Sequence, residues 1–315
     1  MSDASSPSSR AVERTPSSLR VWLLAIRPAT LPAAVGPVLV GLGAAVGSGA
    51  ALRLDTALGC LAVALLLQIA ANLANDLADF RRGADTPDRK GPVRVAAAGL
   101  MSQRQLVVGI VVVVAAADAF GLYLAYVGGV AMLILGALAV VSALAYTGGP
   151  WPYGYRGLGE VFVFAFFGLM AVGVTAYLQA GRVEGVYLLA AVPMGALITA
   201  ILIVNNLRDI PTDRAAGKRT LAVTFGEGFA KAEYYATLAV GAVVPVALLV
   251  ARLAGPAVLL PLLSGLMVPP LVREVRAVGP DSDRRRLNLV LKGTARLSLV
   301  YGVLFAIGLA VRVGA

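Results

Sequence analysis

From about residue 28 onward the chain alternates long apolar runs with short polar stretches. Nine of these runs approach the ~20 residues a helix needs to cross ~30 Å of hydrocarbon. Their limits lie near 28–50, 55–78, 105–126, 128–146, 159–180, 186–206, 234–251, 256–272 and 293–312. None keeps the strict alternation of an outer-membrane barrel strand. Only helices and closed barrels satisfy backbone polar groups in lipid, so the pattern predicts nine transmembrane helices. Residues 1–18, rich in serine with proline and scattered charge, read as a disordered tail without a signal-peptide core. Residues 19–315 then form a single transmembrane domain. The predicted fold class is an all-α membrane protein.

Sorting lysine and arginine by alternate loops orients the chain. The tail and the loops after the second, fourth, sixth and eighth runs carry 23 of them, and the other side only Arg53, Arg182, Arg252 and Arg312. By the positive-inside rule the N-terminus is cytoplasmic and the C-terminus lies outside, across a plasma membrane. The net charge of +10 is thereby a matter of topology; no RNA or DNA motif accompanies it, so no nucleic-acid partner is expected. The basic stretch Arg273 to Lys292 reads as an anchor beside anionic headgroups. The chain is 59% hydrophobic and 14% charged, against about 25% charged in a soluble domain. Its one cysteine, Cys60, sits in an apolar run and forms no intramolecular disulfide. With no histidine, a His-based triad, a His-ligated zinc and a His-ligated haem are excluded. Chemistry is left to Asp, Glu, Asn, Tyr, Lys, Arg and bound ions.

Two stretches concentrate those groups. The first, NLANDLADFRRGADTPDRKGPVR from Asn72 to Arg94, follows an uncharged run. At 3.6 residues per turn its Asn72, Asn75, Asp76 and Asp79 share a helix face at the membrane boundary. The second, NNLRDIPTDRAAGKRT from Asn205 to Thr220, spaces Asn205, Asp209 and Asp213 at i, i+4 and i+8. Four spans separate the two, so both emerge on the cytoplasmic side and can face one site. Carboxylates there are costly unless cations offset them, and a hard divalent ion with oxygen ligands suits the set. Basic residues follow each cluster: Arg89, Lys90 and Arg94 behind Asp85 and Asp88, Lys218 and Arg219 behind Asp213. Two acidic helix ends backed by cations suit a diphosphate held through metal.

Other residues keep two readings each. Asp and Asn at helix ends are ordinary caps, but two matching clusters on one side favour a ligand set. Asn72 and Asn206 are either site residues or helix-packing hydrogen bonds. Asp118, within the third run, either pairs with a polar neighbour in the interior or takes part in chemistry. Arg27 is an interfacial anchor or a residue of the site's rim. Gly36, Pro37 and Pro245 read as packing and kink features.

The pattern NDxxD then GxD in the first stretch, and DxxxD then GKRT in the second, resembles the UbiA superfamily of intramembrane aromatic prenyltransferases. Together with RPATLPAA from Arg27 and YTGGPWPYGYRGLGE from Tyr146, these strings look like its menaquinone-pathway branch, the 1,4-dihydroxy-2-naphthoate polyprenyltransferases. The likeness covers residues 27 to about 225; the last third matches mainly as apolar spans. It implies nine helices around a central cavity open to the cytoplasm. It also implies polyprenyl transfer from polyprenyl diphosphate to 1,4-dihydroxy-2-naphthoate with loss of CO₂ and diphosphate, giving demethylmenaquinone. Asn75, Asp76, Asp79 and Asp85 would form one Mg²⁺–diphosphate motif, Asp209 and Asp213 the second, with Lys218 on the diphosphate. Asp76, Asp79, Asp209 and Asp213 are the catalytic candidates; the substrate-binding ones are Asn72, Asn75, Arg89, Arg94, Arg156, Asn205, Asn206 and Lys218. One departure is Gly83, where the superfamily carries an acid; Asp85 is the substitute. Many members have a lysine in the loop after the fourth span, where this chain offers Tyr153, Tyr155 and Arg156, and Arg156 is the choice. The alternatives are a relative with another acceptor, such as 4-hydroxybenzoate, and a secondary transporter.

Overall fold

Each apolar run becomes a helix, and the helices end where charge, glycine or proline stops them. The computed structural model describes residues 16–85, 90–279 and 282–311. The predicted tail up to residue 15, Asp88, Arg89 and Arg312 lie outside them. Helix α1 (Ser18–Ile26) is capped by Ser17 and turns at Arg27, which takes a left-handed conformation (φ 56°) before Pro28. A short 3₁₀ turn leads to α2 (Pro32–Gly47), and the α1–α2 pair is bent by 48°. Then come α3 (Leu54–Arg81), α4 (Gln103–Gly128) behind a Ser102–Gln105 capping box, and α5 (Val130–Ala145) after the break at Gly129. Next, α6 (Gly159–Val163), a π-helical stretch (Phe164–Met170) and α7 (Ala171–Ala180) run on as one rod. They are followed by α8 (Gly185–Ala215) and by α9 (Leu221–Val250), whose N-terminus Thr220 caps. A 3₁₀ stretch (Pro256–Met267) passes into α10 (Val268–Ala277), and α11 (Leu287–Ala310) closes the order.

Seven helices are long and apolar enough to cross a membrane alone, and the bent α1–α2 pair is an eighth if taken as one span. α5, at 16 residues, is apolar but shorter than these: at 1.5 Å per residue it reaches about 24 Å. The chain is therefore an all-helical integral membrane protein whose count among the described residues is seven or eight where the sequence pattern predicts nine. Boundaries also move. α3 and α8 continue to Arg81 and Ala215, so both acidic clusters ride on the last turns of long helices. α9 begins at Leu221 instead of near 234, broken at Gly226 (φ 85°); its charged first turns, with Glu227 and Lys231, masked it in the apolar pattern.

α8 is the axis of the bundle, and two thirds of its apolar window is buried, against 17% for α4. Small residues let the other helices close in. A Cβ on Gly43 of α2 would lie 2.2 Å from the Ala306 carbonyl of α11, and one on Gly302 would lie 2.9 Å from Gly36. Glycine is therefore required at this crossing. The prolines inside helices are accommodated in the same economical way. Pro245 has no N–H for the Gly241 carbonyl, and the Tyr301 hydroxyl donates to that oxygen instead (2.9 Å). Pro211 likewise frees the Leu207 carbonyl, and the Arg284 guanidinium donates to it at 2.6 Å. Arg284 is thus buried against α8, unlike the headgroup anchor expected of its basic stretch. Asp118 is exposed on the outer side of α4, among Val111, Val112 and Leu122, and so takes neither role foreseen for it.

Candidate active site

The ends of α3 and α8 that carry acid sit together at one end of a cavity of about 380 Å³. Asn75 and Asp79 from α3, Asn205, Asp209 and Asp213 from α8, Asp85, Arg94 and Lys218 all border it. From Asp79 its wall follows α3 back to Cys60, some 28 Å at 1.5 Å per residue. That wall is mainly apolar, with Val63 and Leu67 of α3 facing Phe166 and Met170 of the π-helical stretch and Val174 of α7. The π-turns widen the helix where it lines the cavity. Transport sites usually sit at the bilayer midplane; these clusters occupy helix ends.

Lys218 ties the two clusters together. Its ammonium lies 3.4 Å from Oδ1 of Asp79 and 3.5 Å from Oδ1 of Asp213, and 4.6 Å from the centre of the Tyr155 ring. Gly217, in the left-handed region, turns the chain to bring it there. Asp79 is buried and also accepts from the Arg94 guanidinium (2.8 Å) and the Tyr155 hydroxyl (2.8 Å). Arg94 reaches Asp85 as well, at 3.5 Å. Burial and the Asp79 carboxylate hold the Tyr155 hydroxyl well above the usual tyrosine range, so it stays a donor. Its backbone is pinned by the Arg219 N–H, which donates to the Tyr155 carbonyl at 2.8 Å.

Asp209 is held differently. The fully buried Arg208, its chain neighbour, donates to both Asp209 oxygens (2.8 and 2.5 Å), to Asn205 (2.7 Å) and to Asn288 of α11 (2.8 Å). Asn288 in turn donates to the Lys90 carbonyl (2.8 Å). Arg208 was missed because it counts in the sequence as one of many cytoplasmic-side cations. Its i+3 spacing from Asn205 is the signal that would have found it.

The remaining predicted residues divide. Asn75 accepts from the Thr147 hydroxyl (2.8 Å) at the cavity wall. Asn72 borders the cavity too, but its amide is spent on the Ile26 carbonyl and the Thr30 hydroxyl (2.8 and 2.9 Å), which tie α1 to α3. Asn206 donates to Glu160 (2.8 Å) and so joins α8 to α6. Arg27 borders the cavity with its guanidinium 3.7 Å from Asp76. Asp76 itself is fully buried behind the wall; its two oxygens accept from the Val95 and Ala96 amides, each at 3.1 Å. Arg156 is exposed, stacks over Trp151 (4.9 Å) and does not reach the cavity, while its neighbour Tyr155 does. Arg89 lies outside the described residues. Among the described residues no group of three or more acidic side chains is arranged to hold a metal ion by itself.

The chain is similar to known proteins over nearly its whole length. Over 296 residues the chain is 42% identical to the 1,4-dihydroxy-2-naphthoate octaprenyltransferase of Mycobacterium tuberculosis, covering 93% of this chain and 98% of that one. It is 38% identical to the enzyme of the same name from Escherichia coli, with 94% and 97% covered. Among solved structures, the apo UbiA homologue of Aeropyrum pernix superposes with a TM-score of 0.63 at 20% identity, over 85% of this chain and 96% of that one. An Archaeoglobus fulgidus homologue bound to GPP and Mg²⁺ gives a TM-score of 0.55 at 17% identity, over 91% and 99%. The model of the UbiA prenyltransferase family matches residues 34–310, and the chain belongs to that family.

Proposed function

We propose that this protein transfers a polyprenyl group from polyprenyl diphosphate to 1,4-dihydroxy-2-naphthoate, with loss of CO₂ and diphosphate. The observation that carries the reading is Lys218 bridging Asp79 and Asp213 at the polar end of a long apolar cavity. The acceptor is taken from the names of relatives aligned over nearly the whole chain. Asn75, Asp79 and Asp85 on one side and Asp209 and Asp213 on the other are oxygen donors only, and Mg²⁺ is ordinarily held by one or two carboxylates plus substrate phosphates. That donor set suits an ion completed by the diphosphate. Bound there, Mg²⁺ would supply neutralisation of the leaving diphosphate.

The chain's own groups do the rest. Lys218 and Arg94, now on Asp79, border the cavity and would offset the charge that leaves with the electrons of the broken C–O bond. Asn75 and Asn205 add neutral polar contacts. The apolar wall from Leu67 to Cys60 takes the isoprenoid tail and keeps water from the allylic cation, and Phe166 and Phe167 turn aromatic surface towards it. The electron-rich ring then forms the new carbon–carbon bond and its carboxyl group leaves as CO₂, giving demethylmenaquinone in its hydroquinone form.

For topology the reading is nine spans, the seven long helices together with the bent pair and α5, as one domain over 19–315. The acidic end faces the cytoplasm with the N-terminus, and the C-terminus lies outside. The excess of lysine and arginine at that end supports it. Purified protein given geranylgeranyl diphosphate, Mg²⁺ and 1,4-dihydroxy-2-naphthoate should release diphosphate and the decarboxylated, prenylated product, read by mass. Product only with another acceptor would overturn the substrate, and no diphosphate release with any acceptor would overturn the reaction.

A further inference from the structure

Asp76 and Asp79 stand one turn apart on α3, yet they face different neighbours. Asp79 borders the cavity; Asp76 does not, and no part of it is exposed. Each Asp76 oxygen takes one backbone amide, Oδ2 from Val95 and Oδ1 from Ala96, both at 3.1 Å. Those amides open a single helical turn, in which Ala98 N–H donates to the Arg94 carbonyl (2.9 Å) and Leu100 N–H to that of Val95 (2.9 Å). The first N–H groups of such a turn have no partner within it, and a carboxylate supplies one. Val95 and Ala96 are themselves buried against Leu73, Leu77 and Leu106, so the turn is docked on α3 and α4 by packing as well. Arg94 stands immediately before the two clamped amides. Its guanidinium, only 8% exposed, reaches Asp79 at 2.8 Å and Asp85 at 3.5 Å.

We propose that Asp76 is a positioning residue: by clamping the Val95 and Ala96 amides it aims Arg94 at the diphosphate site, and it does not ligate the metal. The acidic motif on α3 then splits into a pair that faces substrate, Asn75 and Asp79, and a buried member that organises the loop. The proposal rests on the prenyl-transfer reading and deepens it. Asp76 lies outside the cavity wall, so to reach a Mg²⁺ ion there its carboxylate would have to swing away from the loop, and the Val95 and Ala96 amides would lose their buried partner.

The test uses the full-length protein in detergent with two readouts. Hydrogen–deuterium exchange in the absence of Mg²⁺ and substrate should show Asp76→Asn raising exchange of residues 94–100 at least 10-fold while α8 and α11 stay protected; Arg94→Ala should not. In prenyl transfer, Asp76→Asn should raise KM for geranylgeranyl diphosphate about 10-fold and leave the Mg²⁺ half-saturation within 2-fold. In combination with Arg94→Ala it should add less than 2-fold to the loss from Arg94→Ala alone, because both act through one guanidinium. Asp76→Glu, which keeps both acceptors on a longer arm, serves the same comparison at smaller amplitude if the amide variant does not accumulate. A Mg²⁺ half-saturation shifted as far as in Asp79→Asn, additive losses with Arg94→Ala, or unchanged exchange at 94–100 would each overturn the proposal. If Asp79→Ala also kept its activity, the prenyl-transfer reading itself would fail, which is a separate outcome.

Discussion

The two acidic helix ends solve one problem, a buried carboxylate, in opposite ways. On α8, Asp209 takes its cation from its own helix, Arg208 being one residue away, with Asn205 and Asn288 completing the guanidinium's partners. On α3, Asp79 takes all its partners from elsewhere: Arg94 from the returning segment, Tyr155 from the loop after α5, and Lys218 from beyond α8. The Arg208–Asp209 pair is made within α8 itself, braced by Asn288 of α11. The α3 end exists only when three separate segments have arrived, so it is the end whose charge balance a substrate can rearrange with least disruption to a helix.

Seven variants break or sharpen that contrast, in order of expected effect. Asp79→Ala and Asp209→Ala should each cut prenyl transfer at least about 10³-fold while the protein still inserts, since each removes an oxygen donor that would hold Mg²⁺ on the leaving diphosphate; near wild-type turnover in either would remove the metal assignment. Arg208→Ala should destabilise by about 3–5 kcal/mol, read as a lowered unfolding midpoint in detergent, because it strands a buried carboxylate. Arg94→Ala should cost clearly less in the same measurement, because Lys218 and Tyr155 remain on Asp79; equal losses would erase the difference between the two ends. Lys218→Ala, which removes the shared cation, should lower kcat/KM about 10²-fold, read in the prenyl-transfer assay. Tyr155→Phe should lose about 10-fold, the worth of one buried hydrogen bond to a charged partner. The raised Tyr155 group keeps its proton through pH 10, so any fall in rate between pH 8 and 10 should be the same in Tyr155→Phe as in wild type. Arg156→Ala, which loses only its stacking on Trp151, should stay within about 3-fold.

Asp76, Arg156 and Asp118 show where reading by residue type stops. Asp76 and Asp79 share an α3 face in the helical repeat, but three residues rotate a side chain by about 60°, enough to exchange a cavity for a loop. Arg156 was chosen in its loop for its charge, whereas the 3₁₀ turn Tyr153–Arg156 directs Tyr155 inward and Arg156 out. Asp118 was read as either paired in the interior or part of the chemistry, and it is exposed on α4, which packs on the bundle by one side only.

Taken alone, the sequence determined that the chain is helical and membrane-embedded, where most helices begin and end, and that two acid-bearing ends share a side. Those properties follow from local chemistry: runs without charge, prolines and glycines that stop helices, and cations gathered in alternate loops. The tertiary structure alone decided which acid meets which cation, that Arg208 is buried, that α5 is short and that the freed carbonyls of Leu207 and Gly241 find Arg284 and Tyr301. The physical reason is distance along the chain. Arg94, Tyr155 and Lys218 approach Asp79 from 15, 76 and 139 positions away, and no periodicity within one helix encodes such a meeting.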